Sequence, residues 1–155
     1  MNYHLTSDDR GILLTCSKCG TSNRVAFGRL DQQGRCGSCK SPLTVIAAPV
    51  DIDEAPGFAA LIAQSPLPVV VDFWAPWCGP CKSMAAEFAM AATEAAGEAV
   101  FVKVQTDDHP AIASQFAVQG IPAFVMLRGG QLIARTSGFQ SSARLLAWVR
   151  QHLGK

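Results

Sequence analysis

Residues 69–82 read VVVDFWAPWCGPCK, and the fold turns on this stretch. Pro68–Trp74 is a continuous apolar run rich in valine, interrupted only by Asp72. A run of that kind predicts a central strand buried on both faces. After the Cys-Gly-Pro-Cys sequence, Lys82–Ala96 is rich in Ala, Met and Glu and meets Gly97. That predicts a long helix with a glycine stop. The two cysteines therefore lie between a buried strand and a helix, with Cys78 just before the helix or at its N-cap.

Only a thiolate attacks a disulfide. At a helix start, exposed backbone N–H groups and the positive end of the helix dipole favour a negative sulfur. Gly79 lets the backbone turn, and Pro80 suits a first helical turn. Cys81 comes three residues after Cys78, close enough to attack a mixed disulfide formed there. Cys78 thus reads as the nucleophile and Cys81 as the resolving thiol. Asp72 is a carboxylate inside an apolar strand. Burial raises a carboxyl pKa towards neutrality, so Asp72 could take the Cys81 proton, directly or through water. Lys103, in the apolar run FVKVQ, reads either as its partner or as an outward-facing lysine.

The rest of the C-terminal part supplies an α/β order. TVIAAPV (44–50) predicts a first strand, and GFAALIAQ a helix capped by Asp53 with Pro56 in its first turn. AVFVKVQTD predicts another buried strand, and Asp107/Asp108 a cap for the helix through PAIASQFA. IPAFVMLR and QLIARTSG predict a hairpin around Gly129-Gly130. Ser141-Ser142 caps a last helix with Leu145, Leu146, Val149 and Leu153 on one face. The order β-α-β-α-β-α-β-β-α predicts a mixed sheet covered on both faces. Met84, Phe88, Ala91 and Ala95 form a helical stripe that reads as core.

Residues 1–15 show no strong periodicity. Residues 16–40 are turn-rich, with few large apolar groups, and cannot build a sufficient core alone. They hold Cys16-x-x-Cys19 and, sixteen residues on, Cys36-x-x-Cys39. This is the spacing of a four-cysteine zinc site, with Gly20 and Gly37 suited to the turns. Four ligands close a tetrahedral shell, so one structural Zn²⁺ is expected, and its binding supplies the missing folding free energy. Iron would use the same ligands. The competing reading, two further redox pairs, lacks a preceding buried strand, a Trp and a following helix. Ser41-Pro42 and Ala47-Ala48-Pro49 read as a short linker. The expected division is a zinc-ribbon module over 1–43 and a larger α/β domain over 44–155.

Charge excludes little else. The whole chain is +1, with +3 in residues 1–45 and −2 in the remainder. Four thiolates around a divalent ion bring the first part down to about +1, so nucleic acid is not an expected partner. No basic start precedes a long apolar run, so no secretory signal is expected, and no segment suits a bilayer. A cytoplasmic protein is expected, and paired cysteines in a reducing compartment point to metal binding or redox catalysis. His4, His109 and His152 read as bland beside four cysteine ligands.

VVVDFWAPWCGPCK, the later GIPAF and GGQLIARTSG together resemble the thioredoxin family over about residues 44–153. The resemblance implies the thioredoxin fold and dithiol–disulfide exchange with disulfide-containing proteins. It implies re-reduction by an NADPH-dependent thioredoxin reductase, with no organic cofactor bound, and a monomer. Cys78 and Cys81 match the redox pair, Asp72 the buried acid, Lys103 its lysine neighbour, and Trp74 and Trp77 the active-site tryptophans. Pro122 matches the family's cis-proline, which leaves the Ile121 backbone free to pair with an extended substrate. The implied substrate surface is Trp77, Gly79, Pro80, Ile121 and Pro122. With its N-terminal cysteine pairs, the whole chain resembles bacterial cytosolic thioredoxins that carry a zinc module, which implies a structural or redox-responsive metal site. One departure stands out: the family usually has a proline five residues after the second cysteine, and here that residue is Ala86, so a straighter or differently bent helix is expected. Two other functions suit the same residues, a disulfide oxidase or isomerase on this fold and a zinc-ribbon binding module with a thioredoxin scaffold.

Overall fold

The computed structural model describes residues 5–153. His4 lies outside them. Among the described residues, eight strands form two sheets, accompanied by four α-helices. The smaller sheet is antiparallel, in the order β1 (Thr6–Ser7), β2 (Gly11–Thr15), β3 (Ser22–Ala26). A 3-10 turn follows at Phe27–Arg29. The larger sheet contains β4 (Val50–Asp51), β5 (Val69–Trp74), β6 (Val100–Gln105), β7 (Ala123–Arg128) and β8 (Gln131–Ser137), in the spatial order β4-β6-β5-β7-β8. Helices α1 (Ala55–Gln64), α2 (Gly79–Glu94), α3 (Pro110–Gln115) and α4 (Ser142–His152) connect or follow them. β4, β6 and β5 are parallel, β7 runs against β5, and β8 runs against β7. This is the expected order and the expected mixed sheet.

The apolar runs are buried on both faces because successive side chains alternate across the sheet. Val69, Val71 and Phe73 join one core with Val100, Val102, Val104 and Phe58 of α1. Val70, Phe101, Phe124 and Met126 join a second core with Met84 and Phe88 of α2 and Leu145 of α4. The stripe Met84, Phe88, Ala91, Ala95 is fully buried there. By the same alternation Asp72 and Lys103 fall on the α2 side. α2 runs as an unbroken helix through Ala86.

The N-terminal segment departs most from expectation. Residues 11–15 and 22–26 are paired strands, not featureless chain. Ile12, Leu14, Cys16, Phe27, Leu30 and Cys36 share the first core with α1 and the β5 and β6 valines. The small unit thus borrows its core from the larger one. Leu5 extends the contact: its N–H donates to Pro49 O at 2.9 Å, and Asp51 N–H donates to its carbonyl at 2.8 Å.

Several element ends also move. TVIAAPV is a strand only at Val50; residues 44–49 are irregular because Leu5 takes the outer edge and Pro49 has no N–H to give. Ser41-Pro42 belongs to the second cysteine turn instead of a linker, since Pro42 bridges Arg35 and Leu43 N–H donates to Gly34 O. α1 begins one residue later than an Asp53 cap requires, with Glu54 at the N-cap. α2 begins at Gly79 with Cys78 at its N-cap and Pro80 in its first turn, as expected, and ends at Glu94, short of Ala96. α3 is capped by His109; Asp107 and Asp108 are not its caps. Gly97, Gly129 and Gly130 do take positive φ at their turns.

Candidate functional site: a dithiol beside a buried acid, and a four-sulfur cluster

β5 and α2 set the first site. β5 delivers the chain to Ala75, a turn closes with Cys78 N–H donating to Ala75 O, and α2 starts. Cys78 is the N-cap: its Sγ accepts the Cys81 N–H at 3.2 Å. The two sulfurs are joined as a disulfide, and both cysteines are buried. The Ile121–Pro122 bond is cis, as the resemblance implies. Ile121 O lies 3.8 Å from Cys78 Sγ. On the outer side Trp77 is 69 % exposed, a surface platform rather than a core residue.

Asp72 is 1 % exposed and its Oδ1 has no hydrogen-bond partner among the described residues. Burial pushes its carboxyl up to about 7, opposed by the charge of Lys103. Lys103 is buried too, in register with Asp72, and its Nζ sits 4.9 Å from the centre of the Trp74 ring. The outward-facing reading of Lys103 is thereby excluded. A hollow of about 510 Å³ lies between Trp74, Cys81, Lys82 and Lys103, so Cys81 and Lys103 border one solvent-accessible space. The structure thus sets Ile121 against Cys78 at the start of α2, and puts Lys103, the register partner of Asp72, on the hollow that Cys81 borders.

Two residues escaped the sequence reading. Asp107 accepts the Trp77 indole N–H at 3.0 Å; in sequence it looks like a helix cap. Phe139 is 53 % exposed, beside Gly138, whose N–H donates to Pro122 O at 2.8 Å. The only sequence signal for Phe139 is a large aromatic in a Gly/Ser-rich turn.

The second site is the cysteine cluster. Cys16, Cys19, Cys36 and Cys39 bring their sulfurs within 4.8 Å of one another. Cys16 and Cys39 sulfurs are 3.7 Å apart, and those of Cys19 and Cys36 3.6 Å. A tetrahedral zinc with bonds of about 2.3 Å sets its sulfurs roughly 3.8 Å apart, so the cluster fits the ion. The two turns repeat one another. Gly20 N–H donates to Cys16 O and Lys40 N–H to Cys36 O; Cys16 N–H reaches Thr21 O and Cys36 N–H reaches Ser41 O. The positive φ falls at Gly20 and Lys40, so Lys40, not Gly37, is the turn residue equivalent to Gly20. Ser38 N–H and Asn23 Nδ2 both point at Cys36 Sγ, 3.4 and 3.6 Å away. The backbone N–H groups of Cys39 and Ser38 bring the Cys36 thiol down to about 6. Thiolate is the form a metal binds. His109 and His152 stay apart from this cluster, with hydrogen bonds to Ile52 O and Trp148 O.

Family models match both parts of the chain. The thioredoxin family model matches residues 49–151, and the model described as "Thioredoxin 2, N-terminal", a zinc ribbon, matches residues 15–41. Thioredoxin C-3 of Corynebacterium nephridii is 36% identical over 142 residues, covering 92% of this chain and 96% of that protein. Thioredoxin 1 of Chlorobaculum tepidum is 51% identical over 78 residues, covering 50% of this chain and 77% of its own. The solved thioredoxin of Trypanosoma brucei brucei superposes with a TM-score of 0.65 at 25% identity, over 71% of this chain and 95% of that one. Malassezia sympodialis thioredoxin gives 0.62 at 32% identity, over 71% and 96%. With its dithiol at a helix start, its buried acid and its four-sulfur turns, the chain belongs to the thioredoxin family, the thiol–disulfide oxidoreductases, in the form that carries an N-terminal zinc ribbon.

Proposed function

We propose that this protein reduces disulfides in other proteins through Cys78 and Cys81. The observation that carries the proposal is the Cys81 N–H donated to Cys78 Sγ at the start of α2. A sulfur held there gains from a hydrogen bond and from the helix dipole, so Cys78 is the thiolate that attacks. A new bond forms from Cys78 to one target sulfur, and the other target sulfur leaves and takes a proton. Asp72 accepts the proton of Cys81, helped by a pKa near neutrality. The Cys81 thiolate then attacks Cys78 Sγ and releases the second target thiol. The target gains two electrons, and the protein ends as the Cys78–Cys81 disulfide. A thioredoxin reductase drawing on NADPH returns the electrons. Lys103 is a positioning residue that favours the Asp72 carboxylate. Trp77, Gly79, Pro80, Ile121 and Pro122 receive the target chain.

Residues 1–43 serve as a zinc module and 44–155 as the redox domain. Cys16, Cys19, Cys36 and Cys39 would hold one Zn²⁺, which would fold the two turns. The protein works as a monomer in the cytoplasm; no helix among the described residues is long and apolar enough to cross a membrane.

Insulin reduction coupled to NADPH and thioredoxin reductase tests the assignment. Cys78→Ser should abolish turnover, and Cys81→Ser should trap target proteins as mixed disulfides on Cys78. A potential near the roughly −270 mV of reducing thioredoxins supports this reading, and one near the roughly −120 mV of DsbA would make the protein an oxidase.

A further inference from the structure

Among the described residues the small sheet leaves the outer edge of β3 open: β3 pairs with β2 alone, while β1 covers the other side of β2. Which β3 groups face outward follows from the ladder. Asp8 N–H donates to Gly11 O, so the backbone of Gly11 points towards β1 and away from its β3 partner, Ala26. In an antiparallel ladder this alternates. Arg24 and Ser22 therefore turn their N–H and C=O outward, and Ala26 its N–H.

That edge does not open onto flat solvent. It forms one wall of a cleft of about 320 Å³ whose other wall is the 32–35 turn. The second wall is pinned, with Leu43 N–H donating to Gly34 O at 2.9 Å and Gln33 Nε2 to Leu43 O at 2.8 Å. Arg24, Arg29 and Arg35 line the cleft, and no acidic residue does. Arg24 is engaged by Asp8 at 2.6 Å at the rim. Arg35 gives Nη1 to Lys40 O at 3.2 Å. Arg29 is exposed and makes no side-chain hydrogen bond or ion pair among the described residues.

We propose that this cleft is a docking site for an extended acidic segment of a partner protein, added to β3 as a fourth strand. An extended chain supplies the backbone acceptors and donors that the β3 edge lacks, and pockets beside the edge read its alternate side chains. Asp or Glu side chains of that segment meet Arg29 and Arg35, whose guanidinium groups are suited to carboxylates. A nucleic acid would match the charge but not the edge. It would also find no ring to stack on, because Phe27 is the only aromatic side chain between residues 5 and 43 and it is fully buried. The cleft is built by β3, Arg29, the 32–35 turn and Leu43 and shares no lining residue with the hollow that Cys81 borders, so a bound partner would leave Cys78 free to react.

The test uses the full-length, zinc-loaded protein and a dye-labelled decapeptide of alternating Glu and Val. Fluorescence anisotropy should show saturable binding, and the amide resonances of Ser22, Arg24 and Ala26 should shift. Arg29→Glu/Arg35→Glu should weaken binding by about tenfold or more, from two lost charge pairs. Its zinc content and its rate of insulin reduction should be unchanged. Arg128→Glu/Arg144→Glu, matched in charge but outside the cleft, should bind normally. The same peptide N-methylated at alternate residues keeps its charge and loses strand pairing, so it should not bind. Equal binding of the methylated peptide, equal loss in the control variant, or tighter binding of a single-stranded oligonucleotide of the same charge would each overturn the proposal. So would absence of binding at about 1 mM peptide, where even a weak interface is populated. The methylated peptide and the amide shifts decide the matter on the unmodified protein if the double variant fails to fold.

Discussion

Asp72 and Lys103 stand at one register position of the parallel strands β5 and β6, and both are buried. The acid nevertheless sits high, at about 7, because burial outweighs the neighbouring cation. This has a consequence for stability. Unfolding lets the carboxyl return towards 3.8, so between pH 4 and 7 the native state holds a proton that the unfolded state has lost. Stability should fall as pH rises through that window and level off above it. Asp72→Asn removes the effect. The variant should gain on the order of 2–4 kcal/mol at pH 8, and little at pH 4, in urea melts across the range. A gain that does not change with pH would show that Asp72 is not the titrating group.

The same residue should control the resolving step. Without Asp72, Cys81 loses its proton acceptor, while attack by Cys78 keeps its own support from the Cys81 N–H. Asp72→Asn should therefore slow insulin reduction by about a hundredfold or more near neutral pH, the range for a lost general base. The rate should recover as pH rises towards the thiol's own range. Rapid mixing should show the mixed disulfide accumulating. A slowed first attack with no accumulation would move Asp72's role to Cys78.

Trp77 is held on the surface by Asp107, and the sequence hid this pairing. Asp107 precedes a helix and looks like its cap, yet His109 takes that place and Asp107 accepts from the indole thirty residues back in the chain. Asp107→Ala should leave the Cys78–Cys81 potential unchanged and raise KM for protein disulfides about threefold, the worth of one exposed hydrogen bond. Reduction of a small aromatic disulfide should hardly change. An altered potential would mean that Asp107 acts on the sulfurs and not on the platform.

What could be read in advance follows from how local each signal is. The buried strand, the cysteine pair and the capped last helix announce themselves within a dozen residues. So does Asp72, because apolar neighbours on both sides force it inside. Lys103 stayed ambiguous, since a long side chain can leave a buried strand. The small sheet was missed although Ile12 and Leu14 alternate with Leu13. Its strands are short, and their burial depends on α1, which starts 29 residues after the end of β3. Lys40 was missed because positive φ favours glycine, and Gly37 lay close by.

Zinc removal should separate the two parts. Cys16 and Cys36 are buried in the core shared with α1, and the metal would fix both turns there. Chelation at raised temperature, or Cys36→Ser, should release one zinc per chain. Trypsin should then cut at Lys18, Arg24, Arg29 and Arg35 and spare residues 50–152. Insulin reduction should retain most of its rate, because the dithiol stands on the α2 side of the sheet. Loss of turnover together with zinc would instead make the ribbon part of the catalytic unit.

The docking of the ribbon onto α1 depends on Gly57. A Cβ at this position would lie 2.8 Å from Asp8 O, a backbone atom that cannot swing away. Asp8 is itself fixed, since it accepts from the N–H groups of Arg10 and Gly11 and pairs with Arg24. Two effects compete in Gly57→Ala. Helix propensity favours alanine by up to about 1 kcal/mol. Overpacking against a fixed carbonyl costs roughly 1–3 kcal/mol. The clash should win, giving a net loss of up to about 2 kcal/mol. Hydrogen exchange should quicken at Gly11 and Asp51, where the ribbon meets α1 and β4, and stay unchanged in β7. The exposed control Ala59→Gly should lose about 1 kcal/mol from propensity alone and leave the ribbon's exchange unaltered. If Gly57→Ala proves more stable than the parent, the Asp8 turn yields readily, and the contact between ribbon and helix is looser than this close approach requires.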